Sequence, residues 1–189
     1  MEKITIRSAT PEDAADILHI YSFYIENTAI TMEYIVPTVE QFENRIRKTL
    51  ENYPYLVVEE DGKILGYAYA GRFHERAAFY RSAEVSIYLD RTVQKKGLGR
   101  LLYEELEERL KVLGMLNVYA SIAYAEKEDE YLNHNSTQFH AHMGYRQVAC
   151  FHSCAYKFNR WYHMVWMEKH IGEHKEVQEK VKIFKEIVA

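Results

Sequence analysis

Apolar residues in this chain recur at two spacings, and the change from one to the other is sharpest between residues 83 and 114. Ala83, Val85, Ile87 and Leu89 alternate with Glu84, Ser86, Tyr88 and Asp90, the period of two that gives a pleated strand one apolar and one polar face. After a polar loop at 91–96 the period lengthens. Leu98, Leu101, Leu102, Leu106, Leu110 and Leu113 fall on one stripe of a helix, which Gly114 is placed to end. The predicted unit is strand, basic glycine-containing loop, helix.

The same two periods organise the rest. Residues 3–7 read as a short strand. Thr10, Pro11 and Asp13 supply an N-cap, a first-turn proline and an acidic third position for a helix whose Ile17, Leu18, Tyr21 and Ile25 share a stripe. A polar and aromatic loop fills 27–37. Thr38 and Gln41 then form a capping box for a helix to about 51, carrying Phe42, Ile46 and Leu50. Strands at 55–59 and 63–71 flank Asp61 and Gly62, the signal of a two-residue hairpin turn. A strand at 117–122, a short helix at 136–143 and strands at 146–156 and 161–168 follow. Beyond a domain at 1–171, Val177, Val181, Phe184 and Val188 space out one face of an amphipathic helix at 172–189, expected to pack on its own domain or on a dimer mate.

Composition narrows the class. A chain of 189 residues with 48% hydrophobic content suits one domain with a single core. A net charge of −4 argues against nucleic acid as a partner, because phosphate backbones are held through basic surface. Cys150 and Cys154 are too few for a disulfide framework and are expected as buried thiols. No apolar run approaches the roughly 18 residues of a membrane span, and the segment MEKITIRSA lacks the hydrophobic stretch of a signal peptide, so the cytoplasm is the expected location and no membrane partner is expected.

The basic loop has a physical use. Gly97 and Gly99 remove side chains where backbone N–H groups can approach a ligand, and the first turn of a helix offers unpaired donors and partial positive charge. Lys95, Lys96 and Arg100 add charge suited to a polyanion. Two phosphate-loop patterns are excluded: GxGxxG fails at Leu102, and GxxxxGK[ST] is absent.

The spacing QKKGLGR after EVSIYL resembles the acyl-CoA loop of the GNAT N-acetyltransferase superfamily. Within it the chain is most similar to the phosphinothricin acetyltransferase branch, through IRSATPEDAADILHIY, TMEYIVPT, YPYLVVEEDGKILGYAYA, ERAAFYRSAEVSIYL, NSTQFHAHMGY and YKFNRW in the same order. The resemblance implies an α+β fold, a mixed and mostly antiparallel sheet flanked by helices, with acetyl-CoA as co-substrate and no metal. It implies that Gln94, Lys95, Lys96, Gly97, Leu98, Gly99 and Arg100 hold the pyrophosphate, and that the backbone of Ile87, Tyr88 and Leu89 runs beside the pantetheine arm. Asn133 and Ser136 match positions that bond the arm and the phosphate end; polar helix caps would look the same.

Acetyl transfer to an amine requires a neutral amine and a proton for the departing thiolate. Since α-amino groups titrate near ~7.7–8.0, a base is useful, and Glu84 matches the branch's proposed base. The same carboxylate would also attract a cationic acceptor, or simply be solvated. His140 matches the position of the group that protonates the thiolate; a helix histidine bonded to nearby backbone would read the same. His140 with His142, His134 or His152 forms no recognised zinc spacing. Met32, Tyr34, Arg76 and Phe79 are expected to form the acceptor site, with Glu33 and Tyr80 beside them. Met32 and Phe79 depart from the branch's usual residues, and the 124–132 connection is longer than usual, beside the expected cleft. The expected partner is a small amine, an amino acid or analogue, with a protein N-acetyltransferase or a non-catalytic acetyl-CoA sensor as alternatives; a homodimer is expected.

Overall fold

The computed structural model describes residues 4–93 and 96–182. Its elements, in chain order, are β1 (Ile4–Ser8), a 3₁₀ turn (Pro11–Asp13), α1 (Ala14–Asn27), α2 (Val39–Leu50), β2 (Tyr55–Glu60), β3 (Lys63–Arg72), a second 3₁₀ turn (Ala77–Phe79), β4 (Ser82–Leu89), α3 (Leu98–Leu113), β5 (Asn117–Tyr124), α4 (Asn135–His142), β6 (Arg146–Lys157) and β7 (Arg160–His170). Local chemistry sets several boundaries. The Thr38 hydroxyl accepts from the Gln41 N–H at 3.2 Å and Gln41 reaches back to the Thr38 N–H at 2.9 Å. Asp61 and Gly62, at φ of 49° and 82°, make the tight turn between β2 and β3.

Among the described residues seven strands form one sheet in the order β1-β2-β3-β4-β5-β7-β6, every neighbour antiparallel except β4 and β5. Alternation gives the sheet two apolar faces with different covers. Ala83 and Val85 of β4 join Leu98, Leu102, Leu106 and Leu110 of α3 in one core. Tyr55, Val57 and Tyr67 meet Ile17, Tyr21, Phe42 and Ile46 of α1 and α2 in the other, with Tyr88 against them. The fold is thus α+β, as the resemblance implies. Among the described residues no helix is long and apolar enough to cross a membrane.

Two expectations are corrected. Residues 172–182 carry no helix, and Phe184 and Val188, half of the expected stripe, lie outside the described residues. Neighbours engage the backbone groups that a helix would pair internally. The Lys182 N–H donates to the Leu113 carbonyl at 2.9 Å, Arg81 donates to the Glu179 carbonyl, and Val181 packs on the core. A lone helix this short is marginal in water, so these contacts decide the conformation. The thiols are not buried either: Cys150 is half-buried and Cys154 exposed, because β6 is the outer strand of the sheet.

Candidate active site

The parallel pair β4–β5 runs for only three rungs, Ser82 with Asn117, Ala83 with Val118 and Glu84 with Tyr119. Past that point β4 stays paired to β3 and β5 to β7, so each strand follows its own neighbour and the two separate. A wedge opens between them. Its narrow part is a channel of about 50 Å³ between Val85–Tyr88 and Ala120–Ala123, with Tyr103, His140 and Ser136 on one side and Ile30 and Leu132 on another. It leads into a groove of about 440 Å³ lined by Ile87, Tyr88, Leu89, Gly99, Asn133, Ser136 and Phe139, and by Phe23, Tyr24 and Arg91.

α3 begins at this groove. Gly97 is its N-cap at φ 71°, a conformation that favours glycine, and a Cβ there would meet nothing within 4 Å. Gly99 is shielded instead, since a Cβ would lie 3.2 Å from the Phe139 ring. The first turn of α3, with its dipole and unpaired N–H groups, thus starts from an open glycine and meets the groove at Gly99. The cations nominated from sequence are differently placed: Lys96 bonds both Glu60 carboxylate oxygens at 2.9 Å, and Arg100 pairs with Glu104 at 3.0 Å. The Leu98 side chain is buried in the core, which leaves only its backbone to a ligand. Gln94 and Lys95 lie outside the described residues.

Glu84 sits at the closed end of the wedge, on the sheet face shared by Tyr88 and Ser86. It is half-buried, and burial pushes its carboxyl above the usual range. Tyr69, opposite Ser86 on β3, lies near enough to feel Glu84, Arg45 and Glu33. On the other flank Tyr119, the rung partner of Glu84, stacks on Phe73 at 4.3 Å, and Phe73 meets Phe79 at 6.0 Å. Phe79 is so brought to the Glu84 side, while Arg76 is exposed at the start of the second 3₁₀ turn.

His140 is 3% exposed and both its ring nitrogens are engaged. Nδ1 bonds the Ser136 carbonyl at 2.7 Å, so it must carry the proton, and Nε2 therefore accepts from the Tyr103 hydroxyl at 2.9 Å. Burial lowers the imidazole pKa, against the Ser136 bond. His140 thus lines the channel with its Nε2 engaged by a phenol that lines it too. Tyr103 was not singled out by sequence; the available signal was a hydroxyl on an otherwise leucine-rich buried stripe, which demands a partner. His142 and His134 are also bound to carbonyls, of Gln138 and Ala125, and among the described residues no three metal-ligating side chains gather.

Met32 and Tyr34 belong to a different assembly. The Tyr34 hydroxyl donates to the Tyr156 carbonyl, and Met32 packs on a small cluster of Ala29, Leu132 and Tyr162. The Ala29 N–H donates to the Tyr131 carbonyl at 3.0 Å, and buried Lys157 donates to the carbonyls of Thr28 and Thr31 at 2.9 and 2.8 Å. The 124–132 connection, the loop after α1 and the turn between β6 and β7 are thereby tied together along one side of the channel, Ile30 and Leu132 facing it. Glu33, in the same loop, accepts from Tyr21 at 2.9 Å and from Arg45 at 2.7 and 3.1 Å. Burial would raise that carboxyl, but the bonds from Arg45 and Tyr21 outweigh it and hold it below the usual range.

Comparison with known proteins agrees with this fold. The family described as "Acetyltransferase (GNAT) domain" matches residues 6–166. An L-amino acid N-acyltransferase, MnaT, of Escherichia coli is 32% identical over 92% of this chain and 97% of its own. A phosphinothricin N-acetyltransferase of Alcaligenes faecalis is 30% identical over 87% of this chain and 81% of its own. The crystal structure of a phosphinothricin acetyltransferase from Sinorhizobium meliloti in complex with acetyl-CoA superposes with a TM-score of 0.83 at 28% identity, over 96% of this chain and 98% of that one. With a family match over most of its length and such relatives in sequence and in structure, this chain belongs to the GNAT superfamily of acetyltransferases, in the phosphinothricin acetyltransferase branch.

Proposed function

We propose that this enzyme transfers the acetyl group of acetyl-CoA directly to the amine of a small molecule, an amino acid or an analogue of the phosphinothricin or methionine sulfoximine kind. The observation that carries the reading is the wedge between β4 and β5 with a half-buried carboxylate, Glu84, at its closed end. The residues present fit the co-substrate: the groove is large enough for a nucleotide, the open Gly97 exposes the N-terminus of a 16-residue helix, and the channel has the narrowness of an extended arm. Acetyl-CoA supplies the thioester.

Main-chain groups of Ile87, Tyr88 and Leu89, on the strand edge that β5 leaves unpaired, line the arm, and the amides of Gly97 to Arg100 meet the diphosphate. Lys96, Asn133 and Ser136 complete this side, and the part proposed for Gln94 and Lys95 rests on the sequence alone. Glu84, its basicity raised by burial, takes a proton from the acceptor ammonium directly or through water, so that the amine attacks as a neutral nucleophile. His140 acts through Tyr103: the proton shed by the acceptor amine, passed through water to Nε2, turns their hydrogen bond around, and as the phenol gives its own proton to the departing thiolate the imidazolium returns the Nε2 proton to the phenol oxygen. Phe79 and Arg76 border the acceptor on one flank, Met32 and Tyr34 on the other.

A homodimer is part of this reading. β6 is an outer strand of 12 residues that exposes Val148, Phe151 and Tyr156, beside an exposed Trp161 on β7, and such an edge favours a partner. The 172–189 tail is proposed as part of the same unit, and the cytoplasm as its location. Thiol release from acetyl-CoA, measured over free amino acids, glutamate analogues, polyamines and peptides, tests the function. Saturable turnover with one or more free amino acids is expected; turnover with peptides alone, or CoA binding without turnover, overturns it.

A further inference from the structure

We infer that Arg91 is a phosphate-binding residue of the cofactor groove, gripping a phosphate of the nucleotide end of acetyl-CoA; this rests on the acetyl-transfer reading. Of the cations that the loop sequence nominates, Lys96 is partly neutralised by Glu60 and Arg100 by Glu104, while Lys95 lies outside the described residues. A lysine or arginine already held by a carboxylate must break that pair before it serves an anion. Arg91 is different. It lines the groove, is exposed, and pairs with no carboxylate among the described residues.

Its neighbours explain why. Asp90, the adjacent carboxylate, is turned to Thr92, whose N–H and hydroxyl it accepts at 2.8 and 2.7 Å, and to Lys63 at 3.9 Å. The guanidinium instead lies over the Phe23 ring at 4.8 Å. A place over an aromatic face holds a guanidinium without cancelling its charge or using its N–H donors. The result is a held guanidinium at a groove whose lining also includes Gly99 in the first turn of α3, a second positive feature. Two positive groups across one groove suit a ligand with several phosphates, and a neutral thioester arm alone has no use for them.

Titration calorimetry of the full chain with CoA, 3′-dephospho-CoA and pantetheine tests this without turnover. Arg91→Ala should bind CoA about 10- to 100-fold more weakly, as expected for loss of one charge-assisted contact, with an unchanged melting temperature because the side chain is exposed. A deficit that disappears with 3′-dephospho-CoA assigns Arg91 to the 3′-phosphate; one that persists there and disappears with pantetheine assigns it to the diphosphate. Phe23→Ala, which removes the stacking face, should give a smaller deficit of the same kind. Arg91→Ala binding CoA within about twofold of the unaltered chain, or losing pantetheine equally, overturns the role. If the unaltered chain binds no CoA, the acetyl-transfer reading itself falls.

Discussion

The two walls of the wedge are built by different means. On the β4–α3 side the groove is made of main chain: an unpaired strand edge, an N-cap glycine and a helix terminus. On the opposite side three irregular segments are held by side chains that reach across the sequence, Lys157 to Thr28 and Thr31, Tyr34 to Tyr156 and Arg45 to Glu33. A main-chain wall suits a ligand that is the same throughout a family. A wall of side-chain ties can be rebuilt residue by residue, which suits the part that chooses an acceptor.

Glu84 stands where the walls meet, so its replacement should have the largest effect. Glu84→Gln is expected to lower kcat by about 100- to 1000-fold, the range of a lost general base, with little change in cofactor affinity. Because burial raises this carboxyl, the unaltered enzyme should lose activity as pH falls through that raised value, and the variant should lack this acid limb. The stability sign is opposite. A group whose folded pKa is raised contributes stability at low pH and loses it as pH rises through the folded value, so ionised Glu84 weakens the fold at neutral pH. Glu84→Gln should therefore melt higher than the unaltered enzyme at neutral pH, and that advantage should vanish at acid pH. An unchanged pH profile would remove the role of base.

The main-chain wall is sharpened by Gly99. A Cβ there would lie 3.2 Å from the Phe139 ring and 3.6 Å from Ile87, so the larger side chain of Gly99→Val crowds the ring and the groove that both residues line. The Michaelis constant for acetyl-CoA should rise by roughly tenfold or more, with that for the amine unchanged. A variant that folds and binds acetyl-CoA normally would mean that the wall lies elsewhere.

How far each wall was legible follows from what it is made of. Alternation over 83–90, the leucine stripe and the glycine spacing are local, and they predicted β4, the loop and α3 nearly to the residue. Glu84 follows from that alternation, because its parity puts it on the polar face. His140 was visible as a residue type but its bond to Tyr103, 37 positions away, was not. Nor was the pairing of Lys96 with Glu60, or the use of tail backbone by Arg81 and Leu113 that leaves 172–182 without a helix. Met32 and Tyr34 lie in the loop after α1 as read from the sequence, but the tie that turns Tyr34 to the β6–β7 hairpin depends on Tyr156, 122 positions on. Partners at such distances are set by tertiary packing, which period and propensity do not encode.

The side-chain wall gives the smallest expected effect, and Lys157 is the place to test it. Its ammonium is buried, and burial lowers its pKa although Glu33 opposes this. A buried cation is tolerated where its donors are satisfied, and here two carbonyls of one loop satisfy them. Lys157→Met keeps the length of the stem and removes the donors, so Thr28 and Thr31 lose their partner and the loop is freed from the hairpin. Stability should fall by about 1–3 kcal/mol, the cost of orphaned polar groups. A merely structural lysine would do no more. If the loop shapes the acceptor site, the Michaelis constant for the amine should rise by roughly three- to tenfold while that for acetyl-CoA stays within about twofold. Equal loss of both substrates would mean that the two walls are one unit, and that the difference between them ends at how they are built.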